Sequence, residues 1–229
     1  EARRPRAFLT PTREVLLVFG VSMLSLPLVV SLSTLGDLGL VKSHLYIYGT
    51  AIEFFFVGFF PMLLAFRDHD KRGFYGLGRN GATKSIALGI SLVVLRAVFR
   101  YATGALPFQV GLLAFTQSIA QPYPQNLFLA IIATFVYGPL EVFFITFMVA
   151  KLDLGFGYGR EKVLTRGMVL GVLMWALIHL GNGVFYGLAN SVAQVVSNFI
   201  YGILLMAVFK YSKNSIGTML SFTTTNLAQ

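Results

Sequence analysis

Residues 126–150 read NLFLAIIATFVYGPLEVFFITFMVA and carry a single charged side chain, Glu141. A membrane-spanning helix needs about 20 mostly apolar residues, so this stretch is long enough to cross a bilayer. A carboxylate in hydrocarbon costs roughly 2.5 kcal/mol or more, and such groups face a bundle interior or a wet cavity. We therefore predict a transmembrane helix here, with Glu141 directed into a bundle of helices.

The composition of the whole chain is typical of a membrane protein. Of its 229 residues, 56% are hydrophobic, 12% are charged and 22 are phenylalanine. A soluble domain of this size does not have enough interior to bury so much apolar surface. The chain has no cysteine, which excludes disulfide bonds and thiolate chemistry.

Further apolar stretches predict one all-α domain over residues 1–229, a polytopic transmembrane bundle of about seven helices. An eighth span in the full-length protein is the alternative, because the last stretch is still apolar where the sequence ends. We expect both ends to be trimmed and the first stretch to be a retained anchor. The predicted spans are 15–35, 45–66, 85–102, 126–150, 163–185, 191–209 and 215–229.

Lysine and arginine are concentrated in alternate loops. The basic segments are 1–13, 67–84, 151–166 and 210–213, whereas the intervening loops carry few charges. Basic loops stay on the cytoplasmic side, so the amino terminus is predicted to be cytoplasmic in an integral cell-membrane protein. This asymmetry and contact with anionic lipid explain the net charge of +9. We therefore expect the lipid bilayer, and no nucleic acid, as a partner.

Three polar side chains are predicted to share one depth in the membrane. Glu141 lies ten positions from the basic loop that follows it, about 15 Å along a helix. His179 and Asn226 each lie thirteen positions after a basic loop, about 20 Å. A carboxylate, an imidazole and an amide on separate helices at a common level are the groups that a hydrolytic site uses.

The helix around Glu141 is predicted to be irregular. Gly138 and Pro139 precede the glutamate, and the proline ring removes the hydrogen bond to the carbonyl of Phe135. The freed carbonyl is an acceptor that water can meet. Tyr137 lies one turn before Glu141 and so on the same face. A small polar pocket is therefore expected beside the carboxylate.

Short motifs in the chain resemble those of a known protease family. Residues 138–146, GPLEVFFIT, and 175–179, WALIH, are similar to the EExxxR and FxxxH motifs of the CPBP intramembrane proteases. Residues 215–227, SIGTMLSFTTTNL, are similar to the family's HxxxN motif, and 74–79, FYGLGR, to its usual lead-in segment. This family includes the type II CAAX prenyl endopeptidases and bacteriocin-immunity-associated relatives.

The resemblance implies an intramembrane endopeptidase in which a glutamate and a histidine activate water. Carried over by position, Glu141 is the general base, His179 is its partner and proton shuttle, and Asn226 donates a hydrogen bond to the oxyanion. The implied substrate is a membrane-embedded or lipidated peptide, cut near the cytoplasmic half of the bilayer.

The chain departs from the family pattern at three positions. Val142 replaces the second glutamate, Thr146 the arginine, and Phe222 the histidine of the last motif, where a one-residue shift would place Thr223 instead. A missing donor in such a site costs about 100-fold or more in rate. The alternative is therefore a catalytically weak or inactive member that binds and regulates another membrane protein.

Two other interpretations stay open. A buried glutamate and histidine on neighbouring helices can form a structural hydrogen-bonded pair that stabilises helix packing. Buried carboxylates also serve proton relays, which makes a small-solute or proton-coupled transporter the third functional class. No inverted repeat or pair of broken helices in the sequence supports transport.

Other intramembrane protease chemistries lack their motifs here. The sequence has no HExxH, no GxSxG and no aspartate inside a predicted span. Catalytic zinc needs three protein ligands, and Glu53 would join Glu141 and His179 only if its helix faces them. We therefore expect no metal and no cofactor. Glu53 and Arg96 lie at similar depths and are predicted to form an ion pair between the second and third spans.

Overall fold

The computed structural model describes residues 10–28, 31, 50–68, 70–102, 122–159, 162–182 and 187–227. Regular secondary structure in these ranges is entirely helical. The α-helices are α1 (Pro11–Met23), α2 (Phe60–Arg67), α3 (Ala82–Ala102), α4 (Gln125–Phe135), α5 (Glu141–Gly155), α6 (Arg166–Ile178), α7 (Leu188–Ser212) and α8 (Ile216–Leu227). Two π-helices (Phe54–Phe59 and Val136–Leu140) and two 3₁₀-helices (Arg72–Tyr75 and His179–Asn182) also occur in these ranges, and residues 25–28 and 50–53 are α-helical as well.

Five helical segments in the described ranges are long and apolar enough to cross a membrane. The segment Arg166–Gly181 is apolar but shorter, and α8 has 12 residues. The all-α prediction is confirmed, and the structure is compatible with a multi-pass membrane protein, but the predicted count of seven spans is not confirmed. The five segments are Pro11–Leu28, Thr50–Arg67, Ala82–Phe99, Ala130–Gly155 and Leu188–Ser212.

Capping residues move two helix starts away from the limits of the apolar runs. The first helix begins at Pro11, before the predicted start at residue 15, because the Thr10 side chain caps it and proline suits the first turn. The helix α6 begins at Arg166 because the Thr165 hydroxyl accepts a hydrogen bond from the Met168 amide at 3.1 Å. Hydrophobicity locates a helix, whereas the cap sets its first residue.

The helix α5 forms the axis of the bundle. Every residue from Glu141 to Asp153 is buried, as expected for a helix that is apolar on all sides. It packs against α1, α6, α7 and α8. The Tyr75 ring, from the 3₁₀-helix, also packs on it, with centres 5.2 Å from Phe143 and 5.8 Å from Phe147. A group on α5 is therefore within reach of several other helices.

Opposite charges join the helices at one end of the bundle, where α1, α3, α6 and α8 begin and α2, α5 and α7 end. We call this the basic end. Lys151 Nζ lies 2.7 Å from Glu14 Oε2 and 2.7 Å from Asp70 Oδ2. Arg67 Nε donates to Asp68 Oδ1 at 2.8 Å. Burial alone would raise the pKa of Asp68, but hydrogen bonds with Glu14 and Arg67 outweigh it and lower that pKa.

A second buried ion pair lies at the basic end. The Asp153 carboxylate of α5 accepts hydrogen bonds from the Thr165 hydroxyl at 2.6 Å and from the Lys210 ammonium. It therefore joins α5 to the start of α6 and the end of α7. Because these segments come from separate parts of the chain, the charged contacts fix the relative heights of the helices.

Helices α3 and α8 approach so closely that only glycine fits between them. The Gly217 amide donates to the Ser85 hydroxyl at 2.9 Å, and that hydroxyl donates to the Asn214 carbonyl at 2.8 Å. A Cβ atom at Gly217 would overlap the Ser85 carbonyl oxygen. Small residues allow this kind of close packing between membrane helices.

We expect Gly217→Ala to destabilise the protein by about 1–3 kcal/mol, because the added methyl group forces α3 and α8 apart. The measurement is thermal unfolding in detergent. Gly20→Ala is the matched control, since a Cβ atom at Gly20 meets nothing within 4 Å. That control should be neutral or stabilising by about 0.5–1 kcal/mol. Equal unfolding temperatures for the two variants would contradict the close contact.

Candidate active site

Glu141 is the first residue of α5 and directly follows a π-helix. Pro139 lies inside this Val136–Leu140 π-helix, so the predicted irregularity takes the form of a wider helical turn. Single π-turns are frequent at functional sites because they change the direction of the side chains that follow. Gly138 in the same turn packs against Thr223 of α8, where a Cβ atom would overlap the threonine hydroxyl. The turn thus brings α8 beside Glu141.

Glu141 and His179, two of the three predicted site residues, lie together. The Trp175 indole Nε1 donates a hydrogen bond to Glu141 Oε1 at 2.9 Å, and His179 Nε2 lies 3.5 Å from the same oxygen. Glu141 is 4% exposed and Trp175 is 1% exposed. The indole and imidazole rings meet edge to face, with centres 5.2 Å apart. A buried carboxylate, a buried indole N–H and a partly buried imidazole therefore form one cluster.

The contacts of His179 indicate the position of one of its ring protons. His179 Nδ1 is 3.2 Å from the Trp175 backbone carbonyl, which only accepts, so we assign the proton to Nδ1. The other ring nitrogen faces Glu141 Oε1, and this contact is favourable when one proton lies on either Nε2 or Oε1. The pair is therefore suited to hold one exchangeable proton between an acid and an imidazole.

A second acidic side chain enters the cluster from the segment before α2. The Tyr137 hydroxyl hydrogen-bonds to the Glu53 carboxylate, which also interacts electrostatically with Glu141. The same hydroxyl lies 3.3 Å from the Thr50 hydroxyl. Arg96, predicted to pair with Glu53, has its guanidinium carbon 4.8 Å from the centre of the Tyr201 ring. Glu53 therefore lies in the neighbourhood of Glu141, and its ion pair with Arg96 stays a prediction.

The helix α8, which carries the last of the three motifs, contributes an aromatic side chain beside Trp175. The Phe222 ring lies edge to face with Trp175, with centres 5.7 Å apart, and stacks on Tyr201 at 6.3 Å. Thr223, the alternative at this motif position, contacts Gly138 instead. Asn226 belongs to α8, but its side chain lies outside the described part of the structure. The structure therefore pairs the predicted base and shuttle without describing the predicted oxyanion donor.

No metal-binding cluster is present in the described ranges. Among these residues, no three His, Cys, Asp or Glu side chains are grouped so that they could hold a metal ion. Glu53, Glu141 and His179 therefore do not form such a set, although they belong to the same neighbourhood.

Two contributors to the site, Trp175 and Glu53, are not among the residues predicted to be catalytic. Trp175 stands at the motif position of a phenylalanine, which is also a large aromatic residue. A buried indole N–H needs a hydrogen-bond acceptor. Because Trp175 lies four residues before His179, the two side chains share one face of the helix. Glu53 lies fourteen positions before Arg67, about 21 Å along a helix and so close to the depth of His179. A similar depth along the helices does not show whether the Glu53 side chain faces Arg96 or Glu141.

Comparisons with known proteins identify no relative. No model of a known protein family matches the chain, and neither a curated protein nor a solved structure matches it. The resemblance to the CPBP proteases therefore rests on the short motifs alone and stays a prediction.

Trp175 is the only tryptophan in the chain, so its fluorescence reports directly on this cluster. The imidazole ring lies edge to face with the indole ring, so its replacement changes the surroundings of the indole. We expect His179→Leu to shift the emission maximum relative to that of the parent protein. An emission maximum equal to that of the parent would contradict the contact between the two rings.

Proposed function

We propose that the chain is an intramembrane endopeptidase that uses water activated by Glu141 and His179, as the CPBP proteases do. The observation that carries the proposal is the 3.5 Å contact between His179 Nε2 and Glu141 Oε1. These two groups come from different helices and meet in a cluster of low exposure. A carboxylate and an imidazole within hydrogen-bond reach are the parts that general acid–base hydrolysis requires.

The proposed reaction moves one proton through this pair. A water molecule bound beside Glu141 gives a proton to the Glu141–His179 pair as its oxygen attacks the peptide carbonyl carbon. When the carbon–nitrogen bond breaks, the pair returns that proton to the leaving amine, which gives a carboxylic acid and an amine. Trp175 positions Glu141, because its indole N–H fixes Oε1 and leaves Oε2 for the water.

Stabilisation of the oxyanion is assigned to Asn226, one turn beyond Phe222 on α8. This helix packs beside the Val136–Leu140 π-helix that leads to Glu141. An amide donor at an oxyanion contributes about 100-fold or more to the rate. Asn226 thus completes the proposed catalytic set.

We further propose that the helices cross the membrane seven times, with the basic end in the cytoplasm. Five long apolar helices supply most of the spans, and α6 and α8 supply the two shorter ones. The start of α1 lies at the basic end, and basic segments stay on the cytoplasmic side of membranes, which supports the proposal of a cytoplasmic amino terminus in the cell membrane. Glu141 then lies about 15 Å from that surface, where a membrane-embedded or lipidated peptide is the substrate class within reach.

One observation favours a second candidate function, that of a non-catalytic binding protein. Phe222 occupies the motif position of a histidine and packs against Trp175 and Tyr201. An apolar ring there donates no hydrogen bond, and Glu141 is only 4% exposed. In that case the cluster stabilises helix packing in a protein that regulates another membrane protein.

The test is cleavage of a library of lipidated and transmembrane reporter peptides by the purified chain in liposomes, followed by mass spectrometry. We expect the parent to cleave, and Glu141→Gln and His179→Ala each to reduce the rate at least about 100-fold, because each removes one half of the proton-transfer pair.

The matched control is Thr146→Val on the same helix. The Thr146 hydroxyl is buried and has no hydrogen-bond partner in the described part of the chain, so its removal should leave cleavage and folding unchanged. Equal cleavage by Glu141→Gln and the parent would reject the catalytic assignment. A folded parent protein that cleaves no peptide in the library would support the binding protein instead.

A further inference from the structure

A cavity of about 250 Å³ lies at the basic end, away from the Glu141 cluster. It lies between the ends of α5 and α7, the 3₁₀-helix Arg72–Tyr75 and the loop after α5. Part of its wall is apolar and consists of Phe74, Ala150, Leu154 and Phe209. Leu154 is 53% exposed, so this wall continues to the outer surface of the bundle. The cavity thus joins the surface of the helices to the basic loops.

The opposite wall is polar and carries two ammonium groups. Asp153, Tyr158, Lys210 and Lys213 line it. Both oxygens of the Asp153 carboxylate already accept hydrogen bonds, one from Thr165 and one from Lys210. The acid is therefore satisfied by its neighbours, and the described residues of this wall include two lysines and one aspartate.

Lys210 is a buried lysine in this polar wall. It is 7% exposed, and an ammonium group has three N–H donors. Within the described ranges its ammonium donates to one acceptor, Asp153. Buried donors need partners, so the remaining donors of Lys210 favour an acceptor bound in the cavity that this residue lines.

A third lysine lies at the rim. Lys162 Nζ is 5.5 Å from the centre of the Tyr158 ring, and Tyr158 itself lines the cavity. The rim therefore adds positive charge and a phenol hydroxyl to the polar wall. Anionic oxygens accept charge-assisted hydrogen bonds from such groups, and these are stronger than bonds between neutral groups.

We propose that this cavity binds a phosphate ester joined to an apolar chain, the chemistry of an anionic lipid headgroup. The phosphate oxygens accept hydrogen bonds from Lys210 and Lys213, and the first carbons of the chain lie against Leu154 and Phe209. The volume equals that of about eight water molecules at roughly 30 Å³ each, enough for a phosphate and a small alcohol.

The position of the cavity favours a lipid over a soluble phosphate ester. It lies where the apolar helices give way to basic loops, which is the level of lipid headgroups in a bilayer. Basic pockets between membrane helices on that side bind anionic headgroups. The exposed side of Leu154 gives an acyl chain a continuous path from the cavity to the lipid.

The test is a binding titration of the purified full chain in detergent. The probes are dihexanoylphosphatidylglycerol, dihexanoylphosphatidylcholine of the same chain length, and glycerol phosphate. We expect the anionic lipid to bind at least about tenfold more tightly than the zwitterionic lipid, and Lys213→Gln to weaken it about tenfold, because one charged hydrogen bond is lost.

Lys71→Gln is the matched control, since Lys71 is exposed at the same end but outside the cavity lining. Leu154→Trp, whose larger side chain covers the apolar wall, should also weaken binding of the anionic lipid. Equal affinity for both lipids, or equal effects of Lys213→Gln and Lys71→Gln, would overturn the proposal. Glycerol phosphate that binds as tightly as the anionic lipid would support the phosphate site and contradict a lipid as its source.

Discussion

The contact of Glu141 with Trp175 of α6 and with His179, which directly follows α6, is the constraint on which the rest of the bundle depends. A carboxylate in an apolar interior is costly unless donors surround it. One indole N–H and one imidazole meet the same oxygen of Glu141. Because α5 is buried on every side, the other helices must pack around this contact. In this geometry α6 lies beside the first turn of α5, and its regular helix ends at Ile178, directly before His179.

The charged contacts at the basic end work together with this polar centre. Glu14 and Lys151 join α1 to α5, and Asp153 and Lys210 join α5 to α7. These links set the heights of the helices about 15 Å from the Glu141 cluster, a distance of ten residues along α5. A helix that slipped by one turn would leave buried charges without partners at one end and a buried carboxylate without donors at the centre. The two levels therefore specify a single arrangement of the helices.

Apolar runs and isolated polar residues were enough to predict the helical class and to select Glu141 and His179. Glu141 is the one charged residue of 126–150, and His179 is the one histidine between Arg166 and Lys210, a stretch with no charged residue. The partner of Glu53 was not predictable in this way, since depth along a helix does not define the direction of a side chain. The buried pair of Glu14 and Lys151 was missed for another reason: lysines near helix ends were interpreted only as a signal of topology. Tertiary pairing decides such contacts, and a single sequence does not contain that information.

The most direct test of the central claim is the distance between His179 Nε2 and the Glu141 carboxyl carbon in lipid bilayers. Solid-state NMR on protein labelled with ¹⁵N at histidine and ¹³C at glutamate measures it, and background substitutions of the other two histidines, His44→Gln and His69→Gln, assign the signal. The 3.5 Å contact plus one carbon–oxygen bond predicts a separation of no more than about 4.7 Å. A dipolar coupling that corresponds to this distance is expected in the parent protein. It should be absent in Glu141→Gln, in which the side chain at position 141 carries no ¹³C label. A separation too long to give any coupling in the folded parent would contradict the catalytic pair.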